Sequence, residues 1–282
     1  MSTTKFRTDA HGKQSTWCNS YTTQPQDVEL NCALPLDELY GSEPYDINFC
    51  FPYLPAALCD EKLGVKLVPF IPRLHAETFF RFAVQHPEDF QYTRFPIPRS
   101  LEEMLAWFER TCRRNTFNSA FAVLFRDDNG IWIFGGFLML VACNPESLSA
   151  DIATGILFHN FRGRSRAREP CSLILRYCLN TPSDEVAGLG LRRVGWHAEA
   201  HNYPSQSLAL SLGFRLESMR RWSRTVPPGR RGNGKRLRKG DPVHSAGADE
   251  VYYTLCWDDW DAFGRNIAKG VFAKEFPVKA KL

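Results

Sequence analysis

The stretch from Asp151 to Glu217 constrains the fold of this chain more than any other, because its apolar spacing changes period several times over a short length. Ile152-Ala-Thr-Gly-Ile-Leu-Phe158 is brief, apolar and rich in β-branched and aromatic residues, which predicts a buried strand. A basic turn follows, Phe161-Arg-Gly-Arg-Ser-Arg-Ala167. After it Cys171, Ile174, Leu175, Cys178 and Leu179 recur at helical spacing with Pro170 in the tolerated first turn, so the basic turn stands at a helix N-terminus. Unpaired backbone N–H groups there carry the positive end of the helix dipole and favour an anion, and Arg162, Arg164 and Arg166 add mobile charge. Leu191 to His201 reads as a second strand, closed by Asn202-Tyr-Pro-Ser205. Asn202 suits a helix N-cap with Pro204 just inside; Leu208, Ala209 and Leu212 form the apolar stripe, and Gly213 is the stop. Strand, helix, strand and short helix therefore follow in order, and the first helix returns the chain to a parallel strand by the usual right-handed crossover.

The flanking segments supply the rest of a sheet. Val65 to Ile71 predicts the opening strand and Leu74 to Val84 a helix; Ser100-Leu-Glu-Glu103 is a capping box before the stripe Leu101, Met104, Leu105, Phe108 and Cys112. Ala120–Phe125 and Ile131–Leu140 read as strands joined at Asp127-Asp-Asn-Gly130, where Asn-Gly fits a tight hairpin. Gly135-Gly136 predicts a bulge or a close backbone approach. Together with the strand at Ile152 these make an antiparallel meander. Arg215–Thr225 and Val251–Trp257 are further strands, separated by a Pro, Gly, Arg and Lys-rich stretch, Val226–Gly247, expected as a long mobile hairpin loop. Residues 1–45 are polar and expected as a partly ordered tail, residues 46–263 as one domain with the basic loop inserted, and residues 264–282 as a C-terminal tail. The fold class is α+β: a mixed, strongly twisted sheet with helices on both faces and a V-shaped opening between two central strands.

With 282 residues the chain can bury one substantial core. It has no run of about 18 apolar residues, which argues against a membrane span, and Met1 to Gln14 lacks the apolar centre of a signal peptide. The nine cysteines are scattered without a C-x-x-C pair, as expected of reduced thiols in a cytoplasmic protein. A net charge of +4 does not by itself imply a nucleic-acid partner.

Arg162-x-x-Ser165-x-Ala167 resembles the Arg/Gln-x-x-Gly-x-Gly/Ala signature of the GNAT N-acetyltransferase superfamily. Gly190-Leu-Arg-Arg-Val194, Asn202-x-x-Ser205 and Leu212-Gly-Phe214 resemble its ribosomal-protein N-acetyltransferase-like branch. The resemblance runs from Val65 to Phe263 and is strongest from Phe158 to Phe214. It implies an acyl-CoA N-acyltransferase fold, acetyl-CoA as co-substrate without a metal, and direct transfer of acetyl to an amine of a small molecule or a protein. In such enzymes the basic turn holds the pyrophosphate and the preceding strand meets the pantetheine arm. The candidate cofactor contacts are then Phe158, Arg162, Gly163, Arg164, Ser165, Arg166, Ala167 and Asn202, with backbone N–H groups near Phe158 polarising the thioester carbonyl and the Ser205 hydroxyl returning a proton to the thiolate. The chain departs from the pattern at Ser165, where the first Gly is usual, at Pro170, at Ala209, where many members carry Tyr, and at Ile152, where many carry Glu.

An acceptor ammonium must lose a proton before it can attack. Glu199 and His197 share one side of their strand by alternation, and Asp151 precedes the other central strand; Glu199 is the first candidate for the base. Each of these groups also has a plain structural reading as a solvated strand-end residue, and Asn202 as an ordinary cap. Tyr92, Arg94 and Phe95 are candidate acceptor contacts or packing residues. Two other classes stay open: an acyl-CoA binder without transferase activity, and a nucleic-acid or partner-binding module, or nuclear import signal, using Arg220 to Lys239. In that basic stretch aromatic residues are few apart from Trp222, which argues against single-strand binding.

Overall fold

The apolar alternation that begins at Val65 closes into one eight-stranded sheet in a computed structural model, which describes residues 16–21, 35–93, 95, 97–163, 166–227 and 230–272. In chain order the elements are β1 (Trp17–Cys18), α1 (Leu36–Tyr40), β2 (Tyr45–Asp46), β3 (Cys59–Asp60), β4 (Val65–Pro69), α2 (Pro72–Gln85), α3 (Leu101–Phe108), β5 (Ser119–Arg126), β6 (Trp132–Asn144), β7 (Ser149–Leu157), α4 (Arg168–Leu179), β8 (Arg193–Glu199), α5 (Tyr203–Ser211), β9 (Arg215–Thr225), β10 (Gly247–Cys256), α6 (Trp257–Asp259) and α7 (Arg265–Phe272). The large sheet runs β3-β4-β5-β6-β7-β8-β10-β9 and is antiparallel throughout except where β7 meets β8.

Period-two alternation divides the buried residues between two faces. On one face Leu67, Leu140, Ile152, Val194, Trp196 and Val251 pack with Leu173 and Tyr177 of α4, Ala209 of α5 and Val271 of α7. On the other, Phe70, Phe137, Met139, Ile156 and Phe158 meet α2 and α3 in an aromatic cluster, with Phe70 stacked on Phe108 at 4.3 Å and Phe79 against Phe137 at 5.2 Å. Helices therefore cover both faces, but α2 and α3 lie over the N-terminal half only. Gly195, His197 and Glu199 alternate onto the second face beyond them.

The local devices legible in the sequence take recognisable forms. Ser100 Oγ accepts from the Glu103 N–H, while the Glu103 carboxylate reaches back to the Arg99 N–H at 2.7 Å, one residue earlier than in an ordinary capping box. Gly135 is the extra residue of a bulge between β5 and β6, and a Cβ on Gly136 would press on the Ile156 carbonyl at 2.5 Å, so both readings of that pair hold. The Asn202 side chain caps α5, and Gly213, at φ +93°, ends the segment.

Three expected irregular segments are tied down. Trp17–Cys18 pairs with Tyr45–Asp46, and Asn19 bonds the backbone of Phe49 and Phe51, so part of the N-terminal stretch is docked on the domain. After Gly264 the chain forms α7 rather than a tail: Ala268 and Val271 bury on the α4 side, and Arg265 reaches Asn180 and Asp184 at 3.0 Å. The hairpin loop after Val226 is irregular but pinned. Arg230 donates to the carbonyls of Thr93 and Phe95, and Asp249 receives Asn233, the Trp222 N–H and Lys235, which hold its carboxyl down, to about 2. No described helix is long and apolar enough to cross a membrane.

Phe79→Ala should cost about 3 to 5 kcal/mol in urea unfolding, since the ring is fully buried at the centre of the aromatic cluster. His75 gives a pH test. Its Nδ1 accepts the Ile71 N–H at 2.9 Å at the start of α2, and burial pushes it down from 6.5 to about 4. The native state thus prefers the neutral ring; the stabilisation is whole above pH 6.5 and is lost as pH falls toward 4. The stability advantage of the natural chain over His75→Gln should therefore shrink between pH 7.5 and about 4.5.

Candidate active site

Strands β7 and β8 run side by side from Ser149↔Arg193 to Ile152↔Trp196 and then part, although β7 continues to Leu157 and β8 to Glu199. On its other edge β7 pairs Ala153 with Met139 and Ile156 with Phe137, so Thr154 and Gly155 together face Leu138 in a bulge. Such a bulge bends the strand and leaves backbone groups unpaired. Beyond Ile152 the β7 edge toward β8 has no strand partner among the described residues. Backbone N–H and C=O groups there demand water or a ligand, and an extended amide chain can answer them as a strand would.

His197 is the first β8 residue past the last shared pair. Its Nε2 lies 3.0 Å from Asp151 Oδ2, and the Tyr252 hydroxyl donates to Asp151 Oδ1 at 3.1 Å. The His197 and Tyr252 rings are 4.4 Å apart. Burial, reinforced by the Asp151 charge, raises the Tyr252 hydroxyl above its ordinary range, so it stays a donor. Donation from Nε2 to Asp151 would fix the imidazole tautomer and leave Nδ1 as the lone-pair atom. That Nδ1 is buried and has no hydrogen-bond partner among the described residues. Gly195, opposite Asp151 in register, leaves the room this carboxylate occupies.

Glu199 shares the His197 face, as alternation predicts, but its carboxylate is buried against Arg224 Nη2 at 2.6 Å. Arg224 also reaches Glu250 at 3.1 Å, and the Ser223 hydroxyl completes Glu250 at 2.6 Å. Burial raises the Glu199 carboxyl and Arg224 opposes it. At the start of α5, Asn202 Oδ1 accepts the Ser205 N–H at 3.2 Å, and Ser205 Oγ accepts the Trp196 indole N–H at 3.0 Å. Its own hydroxyl proton is then available for donation.

Of the basic turn, Arg164 and Ser165 lie outside the described residues. Gly163 has φ +92°, a conformation natural to glycine, with open space where a Cβ would stand. Arg166 lies over the Phe125 ring at 5.0 Å, and Ala167 leads into α4. Arg162 is less mobile than its sequence suggests: it donates to the Leu157 carbonyl at 2.7 Å and pairs with Asp89. Phe158 is a core ring, stacked on Phe82 at 4.0 Å, and its N–H is committed to the Gly135 carbonyl at 2.9 Å. The backbone groups left without a strand partner at the fork therefore lie on β7 past Ile152 rather than at the Phe158 N–H itself. Phe95 is likewise buried, against Trp107 at 4.5 Å, which makes it packing rather than an acceptor contact; Tyr92 is half-buried, and Arg94 lies outside the described residues. Sequence reasoning missed Tyr252 and Arg224. The alternation of buried Val251, Tyr253 and Leu255 could have placed Tyr252 on the His197 face, but nothing local places Arg224 beside Glu199.

Residues 65–215 match the model of the acetyltransferase (GNAT) domain family, and the chain belongs to that family and is an acetyltransferase. No curated protein matches it by sequence. Among solved structures it is similar to one assigned to the acetyltransferases, 22% identical, with a TM-score of 0.59, covering 80% of this chain and 98% of that one. It is also similar to a GCN5-related N-acetyltransferase from Brucella melitensis, 20% identical, TM-score 0.57, covering 74% and 82%. A third is spermidine N-acetyltransferase from Vibrio cholerae in complex with CoA and spermine, 14% identical, TM-score 0.52, covering 70% and 98%. Enzymes of this family use acetyl-CoA. The open β7 edge, the glycine at Gly163 and the cationic approach to α4 fit that co-substrate.

Gly195→Ala is expected to lower turnover by about 10- to 100-fold, because its Cβ would overlap both Asp151 Oδ1 and the Tyr252 hydroxyl. Circular dichroism and steady-state thiol release separate this from unfolding; full activity in a folded variant would show that the Asp151 position is immaterial.

Proposed function

We propose that this enzyme moves the acetyl group of acetyl-CoA directly to an amine, with His197 as the base. The observation that carries this reading is the His197–Asp151 pair standing where β7 and β8 part. When bound, acetyl-CoA supplies the activated acetyl group as a thioester. The open edge of β7 aligns its amide-bearing arm, and the start of α4 with Arg166 receives its phosphates.

His197 takes a proton from the acceptor ammonium at Nδ1, because Asp151 occupies Nε2 and stabilises the imidazolium that results. Tyr252 holds the far oxygen of Asp151, so the carboxylate keeps its aim. Glu199 takes no proton in this scheme; its ion pair with Arg224 supports the β8–β9 side of the cleft. Ser205, whose oxygen accepts from Trp196, donates a hydrogen bond from its hydroxyl to the departing thiolate, and Asn202 holds the helix that carries it. No cysteine is needed as a nucleophile.

The test is calorimetric titration with acetyl-CoA together with thiol release over a panel of amines. His197→Gln should lower turnover by about 10²- to 10³-fold and leave acetyl-CoA affinity within about threefold. Arg166→Ala should weaken acetyl-CoA binding about tenfold. Undiminished turnover in His197→Gln would return the base role to Glu199.

A further inference from the structure

The face of β8, β10 and β9 around His197 carries several carboxylates, and each already has a partner. Asp151 is held by His197 and Tyr252. Glu217 receives Arg193 and the Thr254 hydroxyl, the latter at 2.6 Å. Glu199 and Glu250 share Arg224. Among the described residues a second ammonium on a polyamine would find no uncommitted carboxylate on this face.

One cation is in the opposite position. Arg220 stands across from Glu250 in the β9–β10 register, yet Glu250 bonds Arg224 and Ser223. The Arg220 guanidinium lies over the Tyr252 ring at 5.1 Å, is exposed, and makes no ion pair or hydrogen bond among the described residues. Tyr252 is the same ring that His197 meets at 4.4 Å, and its hydroxyl is fixed by Asp151. The proposed base and an uncommitted guanidinium therefore flank one anchored ring. A guanidinium presents its N–H groups in a planar fork, the geometry that binds a carboxylate or phosphate through two parallel hydrogen bonds.

We propose that the acceptor is an amine carrying an anionic group, carboxylate or phosphate, which Arg220 holds while His197 takes the proton from the amine. This rests on the amine-transfer reading above and adds the class of acceptor to it. It separates this chain from the Vibrio cholerae enzyme, whose acceptor is spermidine.

The experiment is acetyl-CoA-dependent thiol release with butylamine, 4-aminobutyrate, phosphoethanolamine and spermidine, and with an acidic and a basic peptide of equal length, for the natural chain and for Arg220→Gln and Arg220→Glu. The anionic acceptors are expected to exceed their neutral or cationic counterparts in kcat/KM by about tenfold or more, the worth of one charge-assisted hydrogen bond. Carboxylate and phosphate are ranked by comparing 4-aminobutyrate with phosphoethanolamine. Arg220→Gln should raise KM for the anionic acceptors about tenfold with kcat retained, leaving KM for butylamine unmoved, and Arg220→Glu should reverse the order toward spermidine. Equal use of spermidine and 4-aminobutyrate, or equal effects of Arg220→Gln on charged and neutral amines, overturns the acceptor class and leaves amine transfer standing. Absence of thiol release with every amine, in a protein that binds acetyl-CoA by calorimetry, overturns the amine-transfer reading and this one with it.

Discussion

The site depends on two parallel strands that stop sharing hydrogen bonds halfway along. β7 and β8 are joined by four residue pairs, and both continue after the ladder ends. Leaving strand edges unpaired inside a fold is unfavourable unless something else meets the backbone groups, so the opening has to be imposed by the surroundings. Thr154 and Gly155 bulge against β6 and bend β7, while Gly136 lets β6 approach the Ile156 carbonyl where a side chain would not fit. The aromatic cluster under α2 and α3 then holds the bent end of β7 through Ile156 and Phe158. The opening is thus built from packing on one strand, and what enters it completes the sheet.

Around the fork the polar groups form linked sets, with Arg193 over the Tyr252 ring joining two of them. Asp151, His197 and Tyr252 make one, Glu199, Arg224 and Glu250 another, and Arg193, Glu217 and Thr254 a third. The buried Arg224 pairs with Glu199 and Glu250 hold their geometry because an unpaired partner there would be strongly unfavourable, which favours a specific arrangement over net stability. Such sets give the cleft a rigid wall. Among the described residues, Nδ1 of His197 and the guanidinium of Arg220 have no hydrogen-bond partner on that wall.

Much of this was legible from local spacing. The strands, the turn at Asp127–Gly130, the capped helix after Asn202 and the glycine pair at Gly135 follow from period, turn chemistry and backbone freedom, which act over a few residues. The grouping of side chains at the fork was not legible, because they come from β7, β8, β9 and β10, which lie far apart in sequence. Arg162 shows the same limit: a basic residue in a basic turn reads as free charge, and only the fold brings Asp89 beside it. Phe158 and Phe95 read as possible contacts because aromatic residues suit both cores and ligand sites. Burial against Trp107 makes Phe95 a packing residue, and the Phe158 ring stacks on Phe82.

By itself the order of apolar periods determined the α+β sheet, its meander and the helix between two parallel strands, while the motifs between Arg162 and Phe214 carried the resemblance to the family. Those features rest on interactions between near neighbours along the chain, which a sequence displays directly. Only the tertiary structure decided which titratable groups meet: that Asp151 stands by His197 and Tyr252, that Glu199 is closed off by Arg224, and that Arg220 is left on an anchored ring. Those pairings join residues from strands distant in sequence, whose register is set by the packing of the whole sheet.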